Sequence, residues 1–288
     1  MTSRMMRAAN RLESDVRAPA LSLTNDWDMP PPHGLVGLLA PAAEIGRASA
    51  LYARAYAALR HLAGGFARAV LLGAARAPVQ RVIVPLAKDF ATPLGRMALD
   101  REACLALGID PGEDALAHRM NLVLERQLLF LCIVAPRLPV LPLLVGAYPE
   151  GRRAAARAEA LAALARVAAL PGRTLVIAAT DLARLLPAEP GSAELGPATR
   201  RELRALDGVF VDRALAGDAE GWWSAASGAG DPARRAAAVP VDLLLGHLSA
   251  GSPALRGHVL GYQQDAAAHE FTTSAAVAFL DGAQSDRR

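Results

Sequence analysis

The sequence is short of thiols, aromatics and lysine, and each shortage excludes something. Cys104 and Cys132 are the only cysteines among 288 residues, and their separation fits neither a zinc site nor a Cys-x-x-Cys redox pair. A disulfide framework is excluded, and a reducing compartment, the cytoplasm, is expected. Aromatic residues make up 5% of the chain, so Ala, Leu and Val must fill the core. Of 31 basic residues only Lys88 is a lysine, and the arginines come singly or in pairs such as Arg152-Arg153, Arg200-Arg201 and Arg234-Arg235. With a net charge of +3 and no aromatics interleaved, they form neither a phosphate-tracking stripe nor a stacking platform, and nucleic-acid binding is not expected. Long apolar runs are missing too. The greasiest stretch, residues 128–148, is broken by Arg137, Pro136, Pro139 and Pro142, short of the ~20 apolar residues of a membrane span. Residues 1–23 alternate Arg with Asp and Glu and lack the apolar core of a signal sequence, so no secretion signal or membrane anchor is expected.

What is present is a 53% hydrophobic content, ample for a sizeable core. Residues 1–33 read as an irregular arm, since Asn25-Asp26-Trp27-Asp28 and Pro30-Pro31-Pro32 have no period and the prolines stiffen the backbone. A single folded domain is expected over 34–282 and a disordered tail over 283–288. Within the domain, near-continuous apolar runs at 35–40, 69–73, 141–146 and 174–179 have strand length and read as strands buried on both faces. Helical spacing occupies 47–62, 113–133 and 152–170. The last of these has one stripe of Ala154, Ala158, Leu161, Leu164, Ala165 and Ala168, with Arg153, Arg157 and Arg166 outside it. Alternation of strand and helix predicts an α/β fold, a central mostly parallel sheet flanked by helices. Residues 82–86 and 90–94 read as an inserted strand pair, and 257–263 with 272–280 as late strands beside the sheet. Asp231-Pro232 marks a helix start, and Pro240 should kink or restart that helix.

Ligand groups in open α/β sheets gather beyond the carboxyl ends of the strands. The residues there are Pro41-Ala42-Ala43-Glu44, Ala74-Ala75-Arg76, Ala147-Tyr148 and Thr180-Asp181-Leu182-Ala183-Arg184. Glu44, Arg76, Asp181 and Arg184 are the candidate ligand-binding residues of an otherwise quiet rim. Asp181 suits a helix cap or an amide-binding turn, or a pair with Arg76 or Arg184 that leaves a fork for a carboxylate or phosphate. The histidines show no HxH, HxxxH or HExxH spacing, no G-x-S-x-G elbow is present, and Gly64-Gly65 sits at a helix end rather than in a phosphate loop. Trp222 and Trp223 stand together among small residues. One suits the core and the other an exposed anchor for a protein partner.

The order of these pieces resembles the Memo family, known in bacteria as AmmeMemoRadiSam system protein B and similar in fold to class III extradiol dioxygenases. The resemblance rests on Leu39-Ala40-Pro41, Leu71-Leu72-Gly73, Glu125-Arg126-Gln127-Leu128-Leu129-Phe130-Leu131, Leu141-Pro142-Leu143-Leu144-Val145-Gly146, Asp181, Pro240 and Gly261-Tyr262, over roughly residues 35–280. The diagnostic positions depart from it. The family's Ala-Pro-His ends here in Ala42, its Pro-Ser-His is Ala74-Ala75-Arg76, and a further histidine is replaced by Leu122. Its Ser-Ser-Asp is Ala179-Thr180-Asp181, with Arg184 for the histidine three residues on, and its Cys-Gly before His-Pro is Ala236-Ala237 before Val239-Pro240. Asp181 alone survives of the constellation that would hold a metal or do chemistry, and one carboxylate cannot fix a transition metal.

The resemblance therefore implies a kept scaffold and a lost site, with no catalytic residue, no metal and no cofactor. Class III dioxygenase relatives include active subunits accompanied by paralogues lacking metal ligands. The expectation by analogy is a binding or accessory subunit for an active paralogue, another enzyme subunit or a second copy. The alternative is a metal-independent enzyme or binder of a small anionic metabolite, in a pocket remodelled around Arg76, Asp181 and Arg184.

Overall fold

A computed structural model describes residues 34–282 apart from 61, 63–64, 76–78, 80, 111–117, 119–120, 186–194, 229–231 and 268–269. The expected arm and tail lie outside the described residues, as do Arg76, His33, His61, His269, Gly64 and Asp231. In chain order the elements are β1 (Leu35–Ala40), α1 (Ile45–Arg60), β2 (Arg68–Ala74), β3 (Ile83–Pro85), β4 (Phe90–Thr92), β5 (Gly95–Met97), α2 (Arg101–Leu107), α3 (Val123–Val134) and β6 (Val140–Val145). They continue with α4 (Arg153–Ala168), β7 (Thr174–Ala179), β8 (Ala183–Leu185), α5 (Pro197–Leu215), α6 (Ala219–Gly228), α7 (Pro232–Gly251), β9 (Leu255–Ala267) and β10 (Glu270–Asp281).

The four apolar runs pair in parallel in the order β6-β2-β7-β1, as continuous burial of both faces requires. Antiparallel strands extend this core: β3 beside β6 at one end, and β10 beside β1 at the other. β10 carries β1 and then β8 along one edge and β9 along its whole other edge. β1 and β8 thus lie end to end, and the gap between them falls at the carboxyl end of β1. Gly34 turns the chain into β1 at φ 85°, where a Cβ would stand 2.6 Å from the Asp281 carbonyl oxygen; only glycine tolerates both.

Side chains alternate between the two faces with the period of a strand. Leu175 and Ile177 join the core under α1 and α3, whereas Val176 and Ala178 join the core under α2, α4, α5, α6 and α7. On the first face Phe130 of α3 stacks on Tyr52 and Tyr56 of α1, with ring centroids 4.8 and 5.6 Å away. So few aromatics suffice because three of them meet here and alanines let the backbones approach. Among the described residues no helix is long and apolar enough to cross a membrane.

Several details differ from the sequence expectations. Residues 82–86 do not pair with 90–94: β3 joins the main sheet, and the inserted hairpin is β4 with β5. The helix expected over 113–133 is interrupted: His118 is helical, Asn121 and Leu122 are not, and α3 starts at Val123, whose N–H the Asn121 side chain accepts at 2.9 Å in a local turn. On α4 the buried stripe is Ala160, Ala163, Leu164 and Val167, and Ala154, Ala158, Ala165 and Ala168 are exposed. Arg153 and Arg157 are not outside the packing either. They reach Asp242 of α7 at 3.3 and 2.9 Å and compensate a carboxylate with no exposed surface. Pro240 neither ends nor restarts its helix, since α7 runs through it. Just before the proline, the Thr180 hydroxyl donates to the Ala237 carbonyl at 2.8 Å and the Trp222 indole to that of Ala238 at 3.0 Å, anchoring the segment from outside.

Candidate functional site

The carboxyl ends of β1, β2 and β7 meet the start of α3 and the first turns of α7 around a cavity of about 220 Å³. Its walls include Ala42, Ala74, Ala75, Val123, Ala236 and Ala237, with Thr180, Asp181, Arg184 and Arg234 as the polar members. Ala42, Ala74, Ala75, Thr180, Arg184, Ala236 and Ala237, positions at which the sequence departs from the Memo pattern, thus converge on one space. Of the other departures, Leu122 is half exposed at the N-terminus of α3, Val239 is buried within α7, and Arg76 lies outside the described residues.

Asp181 sits in the gap between β1 and β8. Its Oδ1 accepts the Ala42 N–H at 3.1 Å and the Ser274 hydroxyl of β10 at 2.7 Å, so it joins the end of β1 to β10 where no backbone ladder spans the gap. Arg184, on β8, pairs with Glu270 at 2.6 Å, and Glu270 also binds Arg47 of α1 at 3.0 Å. Arg47 in turn pairs with Asp265 of β9. This chain of charges fastens α1 and β8 to the β9–β10 hairpin. Glu44 is exposed and does not line the cavity; its backbone carbonyl receives the first N–H groups of α1 from Arg47 and Ala48. Of the four proposed ligand residues, the structure brings Asp181 and Arg184 to one cavity and leaves Glu44 outside it, with Arg76 outside the described residues.

Sequence reasoning passed over Arg234. It lines the same cavity at 6% exposure, with its guanidinium 5.2 Å from the Phe210 ring centroid and Nη1 3.8 Å from Asp207 Oδ1. Asp207, on α5, has no exposed surface, and its Oδ2 accepts the Tyr262 hydroxyl at 2.8 Å. Burial pushes the Asp207 carboxyl above its ordinary range, against the opposing influence of Thr273, Tyr262 and Arg234. Nothing in the spacing of Asp207, Arg234 and Tyr262 signals this meeting of α5, α7 and β9. The nearness of Arg234 to Ala237, three residues on, is the one hint.

Trp222 is buried in T-shaped contact with Phe210 at 5.1 Å. Trp223 is half-buried, with the Arg153 guanidinium 4.8 Å over its ring and Tyr148 edge-on at 5.1 Å. Tyr148 donates its hydroxyl to Asp242 at 2.5 Å, and burial followed by the Asp242 charge drives its pKa far up. The remaining titratable groups are scattered: buried His118 has Nε2 3.0 Å from the Val84 carbonyl oxygen, and Cys104 and Cys132 are buried thiols raised by desolvation.

The family model for Memo-like proteins matches residues 22–282. The chain belongs to the Memo-like family. The match begins twelve residues before the described part of the chain, within the expected arm. An uncharacterized protein, JW3007, from Escherichia coli K12 is similar in structure, with 11% identity and a TM-score of 0.42 over 85% of this chain and 99% of that one. No curated protein matches the sequence. The donor set does not fit the metal the resemblance implies. Alanine side chains at Ala42, Ala74, Ala75 and Ala236 offer no lone pair, and Oδ1 of Asp181 already accepts two hydrogen bonds. Among the described residues no three His, Cys, Asp or Glu side chains are grouped to hold a metal ion.

Proposed function

We propose that this chain is a Memo-like protein that binds rather than transforms: an accessory subunit, acting in the cytoplasm, for an active paralogue or another enzyme subunit. The observation that supports it is the strand-end cavity, walled by Ala42 and Ala236 where the family pattern puts an imidazole and a thiol, and by Arg184 at a further imidazole position. A general acid, base or metal ligand needs a titratable side chain there. The one carboxylate present is committed to the join between β1 and β10. Trp223 is the partner-facing candidate, because its indole is half-buried and held rigid between Arg153 and Tyr148 and a preorganised aromatic loses little entropy on docking. Native mass spectrometry of protein from its own host is the test. A complex with a second polypeptide and no stoichiometric transition metal is expected. A clean monomer, or a bound transition metal in stoichiometric amount, overturns the reading.

A second reading is favoured by the charge of the residues that line the same cavity, two arginines, Arg184 and Arg234, and one carboxylate, Asp181. On this reading the cavity accepts a small anion. Thermal stabilisation by carboxylate or phosphate metabolites tests it, and no response across both classes removes it.

A further inference from the structure

β9 is the longest strand of the sheet and lies at its edge, with β10 its one strand partner among the described residues. Outside that ladder, no backbone N–H or carbonyl of residues 256–264 bonds to another described residue. Gly257 and Gly261 are half-buried, and because glycine has no side chain, the surface they expose is backbone. β9 carries neither the lysine nor the proline that blunts many sheet edges; the bulge at Leu260, where the register with β10 shifts, is its one guard. Past the bulge, residues 261–267 pair with β10 without interruption. The side chains there are engaged inward: Tyr262 with Asp207, Gln263 with the Arg47 carbonyl, Gln264 with the Arg200 carbonyl and Asp265 with Arg47. The open backbone row is what remains. Two arginines flank it, one on each face. Arg54 of α1 has Nη1 3.3 Å from where a Cβ on Gly261 would lie, and the Arg204 guanidinium of α5 is 5.5 Å from the Tyr262 ring centroid. Both are exposed, and neither has an ion-pair partner among the described residues. Asp265, the one acid on the strand, is answered by Arg47. An unpaired row of backbone groups with positive charge on both faces fits an added strand. Successive side chains of a strand point to opposite faces, so two consecutive acidic residues on that strand reach both arginines. A second copy fits poorly, because a two-fold about the middle of β9 sets Arg54 and Arg204 against their own copies.

We propose that the outer edge of β9 binds an extended acidic segment of a protein partner, which pairs by its backbone along residues 261–266 and places two adjacent acidic side chains on Arg54 and Arg204. The inference goes beyond the accessory-subunit reading and does not need it, because Trp223 packs with Tyr148 past β6, toward the opposite edge of the sheet. The experiment uses the full chain and a fluorescein-labelled peptide, Thr-Val-Thr-Asp-Glu-Thr-Val-Thr, read by anisotropy and by hydrogen exchange. Saturable binding that slows exchange in β9 is expected. Lys-Lys in place of Asp-Glu in the peptide, or Arg54→Gln together with Arg204→Gln in the protein, should weaken it about tenfold or more. Both arginines are exposed, so the double variant should keep the unfolding midpoint of the parent. Equal affinity for the lysine peptide, an unaltered affinity in the double variant, binding without protection of β9, or no binding at all overturns the assignment. A dimer of the free chain in analytical ultracentrifugation, with its own β9 amides protected, also overturns it and gives the edge to a second copy.

Discussion

Gln127 has no exposed surface, yet every part of its amide is used. Its Nε2 donates to the Pro41 carbonyl at 2.9 Å, and its Oε1 accepts the Tyr56 hydroxyl at 2.7 Å. It therefore holds α3 and α1 to the end of β1, just under the cavity. Gln127→Leu leaves an orphan carbonyl and an orphan hydroxyl, each costing ~1–3 kcal/mol, so chemical denaturation should report a loss of a few kcal/mol. A loss within about 0.5 kcal/mol, as for surface changes, would mean that the network is dispensable. Asp207 makes a pH-dependent prediction at the same scale. Its carboxyl is raised in the folded protein by burial, so the folded state holds its proton to higher pH than the unfolded state does. Its contribution is full below the ordinary carboxylate range and is lost as pH rises through the raised value. Asp207→Asn removes this titration. Its stability relative to the parent should improve steadily as pH rises across that window, and a flat or opposite trend in paired unfolding curves contradicts the assignment.

At the scale of elements, α2 shows how one residue can serve two structures. Asp100 caps the helix by accepting the Ala103 N–H at 2.8 Å, and it pairs with buried Arg68 of β2 at 2.8 Å. Asp100→Ala removes both the cap and the closer of the two carboxylates on buried Arg68, leaving Glu102 at 3.5 Å and the Pro171 carbonyl at 3.1 Å, and should cost ~3 kcal/mol. Asp100→Asn loses the charge but keeps a capping oxygen, and should be milder by about 1 kcal/mol; equal losses in the two variants would show that the cap contributes nothing. The elements themselves were largely legible. β1 and β7 fall at their expected limits, and β2, β6, α1 and α4 within two residues, because long apolar runs and helical spacing are properties of neighbouring residues. The misreadings share a physical cause. The α4 stripe was drawn from alanines, whose small side chains carry little preference for burial. Residue 240 read as a kink or a restart because proline's local cost is visible in sequence, and the helix runs on without restarting because the Thr180 and Trp222 donors beside it come from distant elements. The role of β3 was lost because three residues do not announce a partner.

For the whole molecule, the adjacent tryptophans separate stability from association. Trp222→Ala empties a site beside Phe210 and α7 and should cost ~3–5 kcal/mol. Trp223→Ala removes a stacked, half-exposed ring worth about 1 kcal/mol to the fold, and on the accessory-subunit proposal it should dissociate the partner in native mass spectrometry. A complex that survives Trp223→Ala places the interface elsewhere.

The order of residues by itself determined the parallel strands, the helices that cover them, the Memo-like frame and the replacement of its imidazole and thiol positions by alanine, arginine and leucine. Those are matters of local pattern and identity. Only the tertiary structure decided that Ala42, Ala74, Thr180, Asp181, Arg184 and Ala236 share one cavity, that Asp181 is spent on Ala42 and Ser274, and that Arg234 stands in its wall against Asp207. Partners such as Asp181 and Ser274, 93 residues apart, meet because the sheet closes them into a low-dielectric interior. There the cost of an unanswered charge, which no stretch of sequence displays, selects which groups must find one another.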